Sequence, residues 1–208
     1  LGIVPLGTAN VMAAELGLPS GPVAAAGVVA GGRHADIHLG VANGRHFAIM
    51  AGVGFDAHVV RSVGPRLKRA LGKGAYVAHM AREWLGDRRR HYRVELDGEV
   101  LEAASVIVAN GGHYAGRFVL APTADLTAPV LQVCLFLRSG RWATLRYAAA
   151  LAAGRLPRLG DYRVVPATHV TVTGPDGDPV QVDGDIAAEL PLTVSVAPHR
   201  LRVIVPAA

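Results

Sequence analysis

An α+β fold dominated by a β-rich sandwich is predicted by three features of this 208-residue sequence. Residues 1–32 read as strand, turn and helix, whereas β signals prevail from Arg33 onward. Asn43-Gly44 and Asp97-Gly98 each separate two apolar runs, the pattern of two-residue hairpins. Helical periodicity returns only in short islands, as expected of a sandwich with a few helices. The tail of an α/β unit is therefore placed at 1–32 and the sandwich at 33–208, with the last strands free to return to the first unit.

The elements follow in order. Ile3–Leu6 has the apolar character of a strand, and Gly7-Thr8-Ala9-Asn10 leads from it into a helix over Val11–Leu16. Thr8 is a candidate cap, and Gly17 with Pro19 stops the helix. A second helix is expected at Val23–Val29, ended by Gly31-Gly32. Strands are predicted at Ala35–Val41 and His46–Ala51 around the Asn43-Gly44 turn. Helices are predicted at Ala57–Val63 and Lys73–Trp84. Strands Tyr92–Leu96 and Val100–Ala109 flank Asp97-Gly98, and Leu131–Leu137 is another strand. Trp142–Ala153 reads as a helix closed by Gly154 and Pro157. Five strands complete the chain, at Val164–Val165, His169–Thr173, Val180–Val182, Leu192–Val196 and Leu201–Val205.

Composition narrows the function classes. Apolar residues make up 51% and charged residues 18%, which suits a buried core and excludes a disordered chain. The formal charge of +5 is largely arginine and favours an anionic partner, whether phosphate or an acidic bilayer. Nucleic acid is disfavoured, because the eleven aromatics form no stacking-plus-basic motif. The lone Cys134 excludes an intrachain disulfide and suits a reducing cytoplasm. No apolar run reaches the roughly 18 residues of a membrane span, so peripheral contact is the expected mode. Arg138, Arg141 and Arg146 around Trp142, and the basic stretch Arg82–Arg93, suit helices lying on anionic lipid. Leu1 opens inside an apolar run, which reads as a strand already under way and as a piece of a longer protein.

Four motifs have chemical potential. In Pro5-Leu6-Gly7-Thr8-Ala9-Asn10, a glycine after a strand admits a phosphate to the backbone and a helix start offers free N–H groups; a plain helix cap is the alternative. In Gly52-Val53-Gly54-Phe55-Asp56-Ala57, Asp56 is either a helix-start carboxylate or a partner for a substrate hydroxyl. In Val108-Ala109-Asn110-Gly111-Gly112, Asn110 is either a loop residue or a polar group at a strand end, where sites gather. In Gln181-Val182-Asp183-Gly184-Asp185, Asp183-Gly184 is a turn signal, which leaves the Asp185 carboxylate as a candidate general base.

Together and in this order, these stretches resemble the diacylglycerol kinase catalytic superfamily, most closely its soluble bacterial members. "LGIVPLGTANVMAAELGLP", "ADIHLGVANGRHFAIMAGVGFDAHVV", "VIVANGGHYAGRFVLAP" and "VQVDGD…ELPLTVSVAPHRLRVIVP" carry the resemblance, which covers essentially the whole chain. It implies an α/β ATP-binding domain followed by a lipid-binding β-sandwich, with ATP and Mg2+ as cofactors and transfer of phosphate to a lipid hydroxyl. It implies phosphate contacts for Gly7, Thr8 and Asn10, and the role of base for Asp185, which stands where relatives have Glu. One methylene of lost reach is significant, since a misplacement near 1 Å can cost about 10²-fold in rate. The family's Gly-Gly-Asp-Gly-Thr loop is absent from the sequence. Where relatives bind a structural magnesium ion through Asp-Gly, this chain has Ala128-Pro129, leaving Asp125 as the substitute ligand. Two readings result: a lipid kinase at the inner membrane face whose acceptor part is this chain, inactive alone, or a non-catalytic lipid-binding module. The kinase reading requires Thr8 and Asp185 to meet across one cleft.

Overall fold

The computed structural model describes residues 1–7, 9–63 and 90–207. The predicted helix at Lys73–Trp84, most of the Arg82–Arg93 stretch, and Thr8 lie outside the described residues. The elements are α1 (Val11–Glu15), α2 (Pro22–Gly31), β1 (Arg33–Ile37), β2 (Gly40–Ala42), β3 (Arg45–Phe47), β4 (Met50–Val53) and α3 (Phe55–Val63). They continue with β5 (Tyr92–Leu96), β6 (Glu99–Ala103), β7 (Ser105–Ala109), β8 (His113–Tyr114), β9 (Phe118–Val119), β10 (Leu131–Phe136) and α4 (Arg141–Ala152). A 3₁₀ turn at Leu156–Arg158 leads to β11 (Tyr162–Ala167), β12 (His169–Thr173), β13 (Pro179–Val182), β14 (Asp185–Glu189), β15 (Leu192–Val196) and β16 (Leu201–Val205).

Two six-stranded antiparallel sheets face one another. One has the order β11-β10-β7-β4-β13-β14 and the other β3-β2-β15-β12-β5-β6. Their inward residues, among them Val53, Val106, Val108, Leu131, Val133, Leu135, Val94, Val172 and Val194, form the central core. The first sheet is also covered on its outer face. Ile107, Ala109, Cys134 and Tyr162 pack there with Tyr147 of α4. Two buried faces explain why β7 (SVIVA) and β10 (LQVCLF) read as continuous apolar runs. The second sheet has one solvated face, and β5 alternates buried and exposed residues accordingly.

All three two-residue turns, Asn43-Gly44, Asp97-Gly98 and Asp183-Gly184, have positive φ at both positions, the geometry that matches strand twist. Several predicted strands divide in two. Val100–Ala109 breaks at Ala104, whose N–H bonds the Phe136 carbonyl, and the two halves join different sheets. Ala35–Val41 breaks likewise, with β1 pairing β16 and β2 pairing β15. Ile3–Leu6 forms no strand. Pro5 has no N–H to donate, and the Leu6 N–H turns back to the Val4 carbonyl at 3.0 Å. Leu1 meets β16: its amino group bonds the Arg202 carbonyl at 2.7 Å, and its carbonyl accepts from Ile204 at 2.9 Å.

Candidate functional site

A cavity of about 260 Å³ lies between α4 and the outer face of the first sheet. Its wall is apolar, with Ile107, Leu120, Phe136, Leu151 and Leu156 among the lining residues. Among the described residues, Asp56 is the one carboxylate that lines it. The glycines that precede Asp56 explain its position. Gly54 has φ +97°, and a Cβ there would strike Ser105. A Cβ on Gly52 would lie 3.1 Å from the Val106 carbonyl and 3.3 Å from Gln181 Nε2, so its absence leaves a channel for that amide.

Asp56 is only 8% exposed and accepts hydrogen bonds from the Tyr114 hydroxyl and the Gln181 side chain. Burial raises its pKa, and these two bonds partly oppose the rise. An acid of raised pKa beside a phenol, on an apolar wall, is equipped to exchange hydrogen bonds with a single hydroxyl.

Gln181 connects this wall to the Asp183-Gly184 turn, because its Oε1 accepts the Gly184 N–H at 2.9 Å. Asp185 follows directly as the exposed first residue of β14, paired with Val182. The Asp183 carboxylate accepts three backbone N–H groups, from Ala48 at 2.8 Å and from Ile49 and Met50 at 3.0 Å each. Those bonds divide β3 from β4, where one strand had been expected. From there the Ile49 carbonyl takes the N–H groups of Asn110 and Gly111 at 2.8 and 3.2 Å. The Glu15 carboxylate of α1 then takes the N–H groups of Gly112 and His113, both at 2.9 Å, and meets His113 Nδ1 at 2.5 Å. A continuous hydrogen-bonded path thus joins the cavity wall, the Asp183–Asp185 turn and α1.

The other sequence candidates fall in different places. Gly7 and Asn10 close the loop before α1, with the Gly7 N–H donating to Asn10 Oδ1 at 2.7 Å. Asn10 itself adopts φ 48°. Asn110 is 1% exposed and is not among the cavity residues; its amide donates to the His38 and Ala48 carbonyls at 2.9 and 2.8 Å. Asp125 Oδ1 is taken by the N–H and hydroxyl of Thr127, both at 2.8 Å, and these bonds lower its pKa. Among the described residues, no group of three His, Cys, Asp or Glu is placed to hold a metal ion. Glu15, Tyr114 and Gln181 were not singled out in the sequence. Glu15 is the only charged residue on an otherwise apolar five-residue helix, and Gln181 interrupts the apolar run of a strand buried at every position.

These features define a β-sandwich domain with an apolar cavity of about 260 Å³ at the outer face of one sheet, bordered by the buried Asp56. Residues 49–205 match the family model of the YegS C-terminal NAD kinase beta sandwich-like domain, and the chain belongs to that family. A diacylglycerol kinase of Mycobacterium tuberculosis (strain ATCC 25618 / H37Rv) is 33% identical over 215 residues, covering 99% of this chain and 69% of that protein. The diacylglycerol kinase of Bacillus subtilis (strain 168) is 25% identical over 211 residues, with the same coverages. A crystal structure from Bacillus anthracis str. Sterne shares the fold with a TM-score of 0.78 at 21% identity, covering 98% of this chain and 67% of that one. Kinases that act on lipids are thus the named relatives, and this chain is of their family. Among the described residues, no helix is long and apolar enough to cross a membrane.

Proposed function

We propose that this chain is the lipid-acceptor part of an ATP-dependent kinase that transfers phosphate to the hydroxyl of a diacylglycerol-like lipid. The observation that carries the reading is the buried Asp56 on an apolar cavity wall, tied through Gln181 to the turn that presents Asp185. Asp56 and Tyr114 orient the hydroxyl end of the lipid, and the apolar wall shelters the adjoining methylenes. Asp185 takes the hydroxyl proton as the phosphoryl group arrives.

ATP supplies the phosphoryl group, and the Mg2+ that travels with it neutralises phosphate charge. Gly7, Thr8 and Asn10 form the edge of the phosphate site that this chain contributes. The Gly7 N–H is already committed to Asn10, so this edge does not suffice by itself, and the sequence has no Gly-Gly-Asp-Gly-Thr loop. The chain as given is therefore expected to transfer no phosphate, and such a kinase would work at the inner face of the membrane in phospholipid metabolism.

The test is transfer of labelled phosphate from ATP to diacylglycerol by a longer protein that carries this chain together with an ATP-binding half. Asp185→Asn is expected to reduce turnover by about 10²- to 10⁴-fold, the usual contribution of a positioned base. Unchanged turnover would reject the base assignment. Lipid binding without turnover, in an otherwise complete protein, would favour the non-catalytic module.

A further inference from the structure

One short hairpin touches both the segment that carries Gly7 and Asn10 and the cavity. Its strands β8 and β9 pair His113 with Val119 and Tyr114 with Phe118. On one side α1 packs against β8, and Val11 and Met12 join the same apolar cluster as Tyr114. At the turn, a Cβ on Gly116 would lie 3.5 Å from the Ala9 carbonyl oxygen. On the other side Tyr114, Ala115 and Phe118 line the cavity. Phe118 and Ala148 of α4 both line it and reach solvent, which puts the cavity mouth between them.

Glu15 fixes this hairpin at its head. Its side chain is only 10% exposed and takes three donors. Oε1 accepts the Gly112 N–H and Oε2 the His113 N–H, each at 2.9 Å, while His113 Nδ1 meets Oε2 at 2.5 Å. The glycines make room for the carboxyl. A Cβ on Gly111 would stand 3.0 Å from the Glu15 carboxyl carbon, and one on Gly112 would stand 2.8 Å from the Ala121 carbonyl oxygen. Bonds from backbone N–H to a carboxylate are among the stronger ones, and a two-residue strand has little ladder of its own to oppose them. The residue after His113 is Tyr114, whose hydroxyl donates to Asp56. Glu15 itself does not line the cavity.

We propose that Glu15 is a positioning residue for the cavity: by clamping Gly112 and His113 it holds the Tyr114 hydroxyl on Asp56, and so couples α1 and the loop before it to the cavity wall. Neighbouring residues of a strand point to opposite faces, so a clamp on His113 from α1 sets the direction of Tyr114 on the far face. A displacement of the loop that carries Gly7 and Asn10 is thereby passed to Asp56 through one tyrosine. The consequence for phosphate transfer rests on the lipid-acceptor reading. The coupling itself needs neither lipid nor ATP. A Glu15 that merely stapled α1 to the sandwich would affect stability and leave Asp56 unchanged.

Carbon-13 NMR of the carboxyl groups reads the Asp56 titration in the chain as given, without ligand, so a failed coupling and a failed kinase assignment are separable. The Asp56 resonance is assigned by its loss in D56N. Burial raises the Asp56 pKa, and the Tyr114 hydroxyl is the stronger of the two hydrogen bonds that oppose the rise. Among the described residues, Arg90, Tyr114, Arg138 and Tyr147 are the other titratable groups that line the cavity, and His58 and Arg61 share α3 with Asp56. The substitution E15A alters none of them. It should raise the Asp56 midpoint by about 0.5 pH units or more, the order of one weakened hydrogen bond. Y114F should raise the midpoint as well, and E15A should add nothing in that background. E15Q, which keeps one acceptor oxygen, carries the same comparison where E15A does not fold. A Glu15 variant of lowered stability whose Asp56 midpoint stays or falls, no rise in Y114F, or a rise from the Glu15 variant that persists in the Y114F background would each overturn the proposal.

Discussion

At the scale of single residues, Asp56 has the most to reveal. Its carboxyl has a raised pKa because burial penalises the charged form more than Tyr114 and Gln181 relieve it. For an acid, a raised folded value means that the folded state holds the proton more tightly than the unfolded chain. Its stabilising contribution is fully present below the ordinary value of 3.8 and is lost as pH rises through the raised value. Wild-type stability relative to Asp56→Asn should therefore increase as pH is lowered from 8 towards 4. Thermal unfolding of both proteins across that range measures it, and parallel curves would contradict the raised pKa. The pKa values of Asp36, Asp97 and Asp125 are lowered, which gives the opposite pH dependence, but they are common to both proteins and cancel in the comparison. Asp56 was legible from the sequence because two glycines preceded it. Its partners were not, since neither the Tyr114 hydroxyl nor the Gln181 amide reveals its direction until α3, β8 and β13 are assembled. Asn110 was legible as a polar residue at a strand end, but not the two loops that its amide ties together.

At the scale of elements, turn chemistry was the most readable part of the chain. Asn43-Gly44, Asp97-Gly98 and Asp183-Gly184 each became a two-residue turn, because both positions need positive φ and those residues tolerate it. Strand ends were less readable, since a long apolar run conceals the point where the chain crosses between sheets. Ala104 is one such point, and residues 48–50 are another, where the Asp183 carboxylate captures three N–H groups from outside the strand. Edge strand β14 (DIAAE) was not expected at all, because its alanines and acids carry little β preference. The role of Asp183 gives a prediction at this scale. Asp183→Ala should lower stability by about 2 kcal/mol, since it strands backbone donors at Ile49 and Met50, both of which are buried. Asp183→Asn keeps an acceptor and the left-handed turn, and should lose about half as much. Urea unfolding of the two variants measures the difference, and equal losses would show that the carboxylate bonds are not the cause.

At the scale of the whole molecule, the sandwich places an apolar cavity on one outer face, with Arg90 and Arg138 among its lining residues. The sandwich class was legible from strand spacing and turns. The cavity was not, because its lining comes from α3, β7, β9, β10 and α4, which no local pattern brings together. Under the proposed function this cavity receives the hydroxyl end of a lipid. Calorimetric titration of the chain with dioctanoylglycerol tests it most directly, comparing the parent with Ala148→Trp, which places an indole at the cavity mouth, and with Asp185→Asn. Saturable one-to-one binding is expected, weakened at least tenfold by Ala148→Trp and little changed by Asp185→Asn. No saturable binding by the parent, or equal affinity with the mouth blocked, would contradict it.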